Sequence, residues 1–228
     1  GPGVTLSGTF TVPTGTAGQI RMRLRTMNSG TMTSCASVNY GESEDYTLST
    51  GFNNDGALNI VTTSTPPPFA PGMYNIVTNL TNVGGNALTS ATISYSINGV
   101  AQTPVVWNGN LSNGQSTSVT LVSNYIFPQV GSITAQASII SANGTTDGNA
   151  ANNSTPVATL GAALNGVYTA GGASPDFTGP KQAADQISAG GVLGPVTINI
   201  RPGTYTENVY ISNPPGNIST RPITFQSE

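Results

Sequence analysis

The sequence predicts an all-β fold, and three observations carry that expectation. Apolar and polar residues alternate over short runs through most of the 228 residues, the period of a strand with one buried face. Asn-Gly and Gly-rich turn signals punctuate the runs at regular spacing. Charged residues make up only 7% of the chain, against roughly 25% in an average soluble domain. Ser, Thr, Asn and Gly fill the deficit, a composition of β-formers and turn-formers that fits extracellular β modules better than cytosolic enzymes.

Composition also excludes whole classes of function. With 36% hydrophobic residues and a mean hydropathy of −0.05 the chain has enough apolar material for packed cores, and its length suits one to three small domains. The net charge of −3 and pI near 4.7 supply no basic stripe for phosphate, which argues against nucleic acid as a partner. No apolar stretch approaches the roughly 20 residues that membrane insertion requires. There is no histidine, hence no Ser-His-Asp arrangement, histidine metal cluster or imidazole base. Cys35 is the one cysteine, so no internal disulfide forms; it reads as a small buried hydrophobe or as the partner of a cysteine in a preceding half-domain. Lys181 is the one lysine, which rules out Lys-Asn isopeptide crosslinks within residues 1–180.

Taken in order, the first element is Ile20-Arg21-Met22-Arg23-Leu24-Arg25. A period of two puts the arginines on one face and Ile20, Met22 and Leu24 on the other. Gly41 to Leu48 reads as a second strand carrying Glu42, Glu44 and Asp45. Paired, the two strands are expected to form a structural charge ladder of Arg21, Arg23 and Arg25 with Glu42 and Glu44. Cross-strand opposite charges contribute about 0.2–1 kcal/mol each, which sets register rather than chemistry. A polar joint, Thr50 to Gly56, follows. Asn53 and Asp55 there offer oxygen ligands for a structural calcium, set against the plainer reading of a linker turn.

Next comes a series of alternating runs. Tyr74, Ile76 and Leu80 share one face, as do Ala91, Ile93, Tyr95 and Ile97, with further runs around Val105–Trp107, Val119–Leu121 and Ile133–Ile139. Turns are expected at Asn98-Gly99, Asn108-Gly109, Asn113-Gly114 and Asn143-Gly144. About seven short strands at this spacing indicate a β-sandwich of immunoglobulin type. Trp107 could serve as a sugar platform, yet a single tryptophan in a strand is usually core.

Past Gly161 the texture changes. Thr178 to Ile187 reads as a helix, with Pro180 near its first turn and Gly190-Gly191 as its stop. Strands are expected at Val196–Ile200, Thr206–Ile211 and Ile223–Phe225. The first and third lie roughly one turn of a parallel β-helix apart, stacking Ile198 and Ile200 on Ile223 and Phe225.

Three resemblances attach to these residues. Thr9-Phe10-Thr11-Val12-Pro13, the alternating arginines, Cys35 and Gly41-Glu42-Ser43-Glu44-Asp45-Tyr46-Thr47 resemble the GEVED domain of secreted bacterial surface proteins, with Ser43 in place of the usual valine. Because only Gly1-Pro2-Gly3 precedes them, the chain is expected to begin within that domain, Gly1-Pro2 being a processing or cloning remnant. Thr81 to Gly85, Ile93 to Gly99, Leu111 to Ser116 and the closing Asp147-Gly148-Asn149-Ala150-Ala151-Asn152-Asn153 resemble a CARDB-type adhesion module. In that closing motif an alanine stands where the family has an acid. Tyr168 to Gly172, Pro202 to Glu207 and Ile223 to Glu228 are similar to the capping helix and first coil of pectin-lyase-like right-handed β-helices.

The expected organisation is thus the C-terminal part of a GEVED domain over residues 1–50, a CARDB-like immunoglobulin-type sandwich over 51–160, and a helix-capped first coil of a right-handed parallel β-helix over 161–228. β-helix enzymes assemble acids, basic residues and calcium from several coils, and one coil cannot build that groove. Asp176, Asp185, Glu207 and Arg201 therefore read as a cap, a helix-turn acid and surface charges, and no catalytic residue or cofactor is expected beyond the calcium candidate. The resemblances imply a non-catalytic stalk of a bacterial surface adhesin of gliding-motility type, exported by the type 9 route. Its implied partners are neighbouring modules of the same polypeptide, the secretion machinery and an extracellular surface or polysaccharide. The alternatives are an accessory region of a polysaccharide-degrading β-helix enzyme and a carbohydrate-binding module.

Overall fold

The computed structural model describes residues 9, 18–26 and 41–228, and Phe10–Pro13 and Cys35 of the GEVED-like pattern lie outside the described residues. The chain divides into two units, Gly1–Asn53 and Asn54–Glu228. In the first, β1 (Gly18–Arg25) and β2 (Ser43–Thr50) pair antiparallel, with Arg23 opposite Asp45 and Leu24 opposite Glu44.

The second unit opens with a sandwich built from β3 (Gly56–Thr63), β4 (Gly72–Asn82), β5 (Leu88–Ile97), β6 (Val100–Ala101), β7 (Val105–Leu111), β8 (Ser116–Phe127), β9 (Ser132–Ala142), β10 (Thr145–Thr146) and β11 (Ala158–Gly161). One sheet runs β3-β4-β8; in the other, β5 pairs with β9 on one side and with β6 and β7 on the other, while β10 and β11 extend the far edge of β9. Alternation explains the packing. Ile76 and Leu80 of β4, Ala91 and Ile93 of β5, and Ile133, Ala135, Ala137 and Ile139 of β9 are buried between the sheets, each large aliphatic contributing about 1.5–3 kcal/mol relative to an exposed position. Phe69, Tyr74, Tyr125 and Phe127 close one end of this core, with successive ring centroids 4.5–6.3 Å apart. The Asn98-Gly99 and Asn143-Gly144 turns take positive φ at both residues (50° and 75°; 51° and 72°), the backbone that two-residue hairpins favour. Asn108-Gly109, expected to break a strand, instead lies inside β7. The Trp107 ring covers Gly109, where a Cβ would stand 2.3 Å from Cζ2, so this glycine makes room for an indole rather than a turn.

In the remainder the helix and two of the three expected strands match their predicted positions, and one strand does not. β12 (Leu164–Ala170), β13 (Val192–Ile200) and β14 (Ile223–Ser227) form a parallel sheet in chain order, with α1 (Pro180–Gly190) between the first two. Pro180 stands in the first turn of α1, and Gly191 ends it at φ 78°. A Cβ on Gly191 would lie 2.1 Å from the Pro215 carbonyl oxygen. Residues 206–211 form no strand; Val209 and Tyr210 are exposed, and only Ile211 packs against the core. The stacking expected of Ile198 and Ile200 is shifted by one pair: Val196 sits beside Ile223, Ile198 beside Phe225, and Ile200 beside Ser227. Tyr168, Ile198 and Phe225 thus line up across the sheet in steps of 30 and 27 residues.

A glutamine clasp joins the sandwich to the three-stranded parallel sheet and its helix. Gln186 of α1 is fully buried; its amide nitrogen donates to the Gln129 and Ala162 carbonyls at 2.9 and 3.1 Å, and its oxygen accepts from the Gly131 N–H at 2.8 Å. Gln129 reciprocates, donating to the Ala163 carbonyl and the Tyr168 hydroxyl at 3.2 and 2.9 Å. Gln129 and Gly131 of the sandwich and Ala162 at the junction supply every bond this buried amide needs, which fixes the two parts together.

Candidate functional site

The expected ladder of Arg21, Arg23 and Arg25 with Glu42 and Glu44 is corrected by the register of β1 and β2. Opposed residues of an antiparallel pair share a face, and an error of one residue moves every side chain to the other face. Asp45 is the acid facing the arginines: Arg23 donates to both its oxygens at 2.6 and 2.8 Å. Those hydrogen bonds, with the Arg23 and Arg21 charges, hold the Asp45 carboxyl below its usual range. Arg21 stands opposite Thr47, and Arg25 donates to Ser43 Oγ at 3.1 Å. Glu44 is on the Leu24 face and accepts from the Tyr46 hydroxyl, which pushes that phenol's pKa up. Glu42 precedes β2 and pairs through its backbone with Thr26.

The second concentration of acids is one the sequence did not announce. From Asp55 to Asp176 the single intervening charged residue is Asp147, and Asp55 and Asp147 are both buried, at 4% and 6% exposure. The surface of the sandwich therefore carries no formal charge. Asp147 accepts from the Gly56 N–H at 2.7 Å and the Asn149 N–H at 3.0 Å; Asp55 accepts from Asn152 Nδ2 at 2.9 Å. With its amide oriented by the surrounding bonds, Asn153 donates to Asp147 at 2.8 Å. Burial pushes the Asp55 carboxyl up, against the pull of the Asn152 bond, and the Asp147 charge pushes it further up.

This arrangement does not fit the calcium expected at Asn53 and Asp55. Calcium takes six to eight oxygens at 2.3–2.6 Å, whereas these carboxylates meet N–H donors. Asn53 itself is exposed. Among the described residues no group of three or more His, Cys, Asp or Glu side chains could hold a metal. The closing Asn149-to-Asn153 motif instead ties the last loop of the sandwich to its first strand.

The remaining acids are also engaged. Asp176 accepts from the Thr169 N–H and hydroxyl at 2.8 and 2.9 Å, Asp185 pairs with Lys181 at 2.6 Å, and Glu228 pairs with Arg201 at 2.8 Å. Glu207 reaches across from the irregular segment to accept from the Lys181 N–H at 3.2 Å, supplying the N-terminal cap that Gly179 lacks. Trp107 is half-buried against the sandwich core and offers no open stacking face above Gly109.

One outer face is indented. Two adjoining grooves, of about 190 and 230 Å³, run along the seam between β5 and β9. They share Ser96 and Gln136, which are direct partners in the sheet.

No curated protein matches the chain. Among solved structures it is similar to the CARDB domain of a Pyrococcus furiosus protein, crystallised in complex with di-metal ions, at 19% identity over 51% of this chain and 100% of that one, with a TM-score of 0.39. A domain from a cell surface protein of Methanosarcina acetivorans, solved by solution NMR, is similar at 19% identity over 49% of this chain and 95% of that one, with a TM-score of 0.38. No helix among the described residues is long and apolar enough to cross a membrane. At the other end of the chain, residues 1–49 match the model of the GEVED domain.

Proposed function

We propose that the chain is a non-catalytic structural region of a bacterial cell-surface protein, a stalk that spaces or presents other regions of the same polypeptide. In this reading residues 1–50 are the end of a GEVED domain, 51–160 a CARDB-like sandwich, and 161–228 the capping helix and first coil of a right-handed β-helix. The fate of the carboxylates carries it. All six acids of the second unit are taken up by the chain itself: Asp55, Asp147, Asp176, Glu207 and Glu228 hold one segment to another, and Asp185 pairs with Lys181 within α1. A catalytic acid or base must instead be within reach of a substrate proton. The match of residues 1–49 to the GEVED domain supports an extracellular place, with adhesion and type 9 export as the finer expectation. The in-line parallel strands at steps of 30 and 27 residues support the coil, and they equally favour the second reading, an accessory region of a polysaccharide-degrading β-helix enzyme.

Antibody against the chain should label intact producing cells, and labelling only after permeabilisation would overturn the surface reading. Release of reducing ends or unsaturated sugars from polygalacturonate, alginate or xylan by the purified chain would overturn the non-catalytic one.

A further inference from the structure

We propose that the indented face of β5 and β9 is a binding trough for a neutral polysaccharide, an inference that rests on the reading of the chain as an extracellular module and names a ligand class for it. The trough is lined by outward positions of two paired strands: Ser94 and Ser96 from β5, Thr134, Gln136 and Ser138 from β9, and Ser154 beside them. From Thr134 to Ser138 the β9 positions span about 13 Å at the rise of a strand, the scale of a short oligosaccharide. The floor is only partly satisfied by the protein. Ser94 donates to the Ser138 carbonyl at 3.0 Å, Gln136 to the Thr155 carbonyl at 2.9 Å, and Ser138 pairs with Ser154 at 2.8 Å. The Ser96 and Thr134 hydroxyls, each able to donate and accept, have no side-chain partner among the described residues. A row of hydroxyls and a carboxamide at a fixed repeat matches a ligand that presents hydroxyls at a fixed repeat.

Charge selects among ligand classes. A phosphate- or uronate-bearing polymer would find no cation here, since residues 56–175 contain no Lys or Arg. The centre of a protein interface is typically enriched in aromatic residues, Met and Arg; the outward positions of β5 and β9 are Ser, Thr and Gln, Val157 and Ala101 stand at the margins, and the one aromatic ring of the lining, Tyr95, packs against the core. A neutral polyol leaves no charge unpaired on either side.

The test is affinity electrophoresis of the full chain through amylose, mannan, laminarin and xyloglucan, with alginate and polygalacturonate as charged comparators. The expected result is retardation by at least one neutral polymer and by neither acidic one, unchanged between low and high salt. Ser96→Lys, which places a long stem in the trough, should weaken retention about tenfold or more, with Met73→Ser on the opposite sheet as an unaffected control. Thr134→Val removes a free hydroxyl at constant volume and gives the same reading if Ser96→Lys does not fold. Retardation by no neutral polymer, retardation abolished by salt, or trough variants that bind like the parent would overturn the proposal. The cell-labelling result stands or falls separately.

Discussion

Asp45 and Asp55 depart from the ordinary carboxylate in opposite directions, and their signatures against pH differ in sign. Asp45 is held down by Arg23, so its contribution is present above the ordinary carboxylate value of 3.8 and is lost as pH falls through the lowered folded value. Its pair is exposed at both ends and open to salt screening. Arg23→Ala and Asp45→Ala, alone and combined, should show coupling that vanishes at high salt. Asp55 is pushed up by burial. Folding therefore takes up a proton there, and stability rises as pH falls through the folded value, levelling off below 3.8 where both states are protonated. Asp55→Asn keeps an acceptor for Asn152 without the buried charge, so urea unfolding should show a variant more stable than the parent at neutral pH, the gain shrinking under acid. A less stable variant at neutral pH would mean that the ionised form is what the Asn152 bond requires.

Between elements, the buried amide of Gln186 should matter more than any ion pair. Gln186→Leu strands the Gln129 and Ala162 carbonyls and the Gly131 N–H, and buried polar groups left alone cost about 1–3 kcal/mol each; a loss of about 3 kcal/mol is expected in chemical denaturation. Little of this was legible in the sequence, for a reason of distance. Alternation reports which face of a strand is buried, and it placed Ile76, Leu80, Ala91 and Ile93 correctly. It cannot report what lies opposite. Gln186 and Gln129 are 57 residues apart and Asp55 and Asn152 are 97 apart, and no local pattern marks either pair. Register was the other blind spot: choosing Glu44 rather than Asp45 for the arginines is an error of one residue, and in a strand one residue is a whole face. Thr206–Ile211 has strand composition, but it runs where Glu207 must cap α1 and Tyr205 must bond the Arg201 carbonyl at 2.7 Å, so tertiary demands overrode propensity.

At the scale of the second unit, its two cores and the clasp between them imply that the sandwich and the first strands of the parallel sheet resist unfolding together, while the irregular segment 201–222 is the weak point. Gly161 to Leu164, where the modules meet, is buried, whereas Tyr210 is 76% exposed. Limited chymotrypsin digestion should therefore cut first at Tyr210 and leave the junction intact; early cleavage between Gly161 and Leu164 would show that the clasp does not hold in solution. The tie between the closing loop and β3 bears on tension. A pull on the backbone at Asn54 meets Asn143 Nδ2 on its side chain at 2.9 Å, the Gly148 N–H on its carbonyl at 2.9 Å, Asn152 on Asp55, and Asp147 on the next amide. These fasteners lie on three consecutive residues and come from one distant stretch of chain, so they share a load rather than taking it in turn. The sandwich is riveted at its entrance, so tension entering there has to shear several bonds at once rather than peel the first strand away one bond at a time.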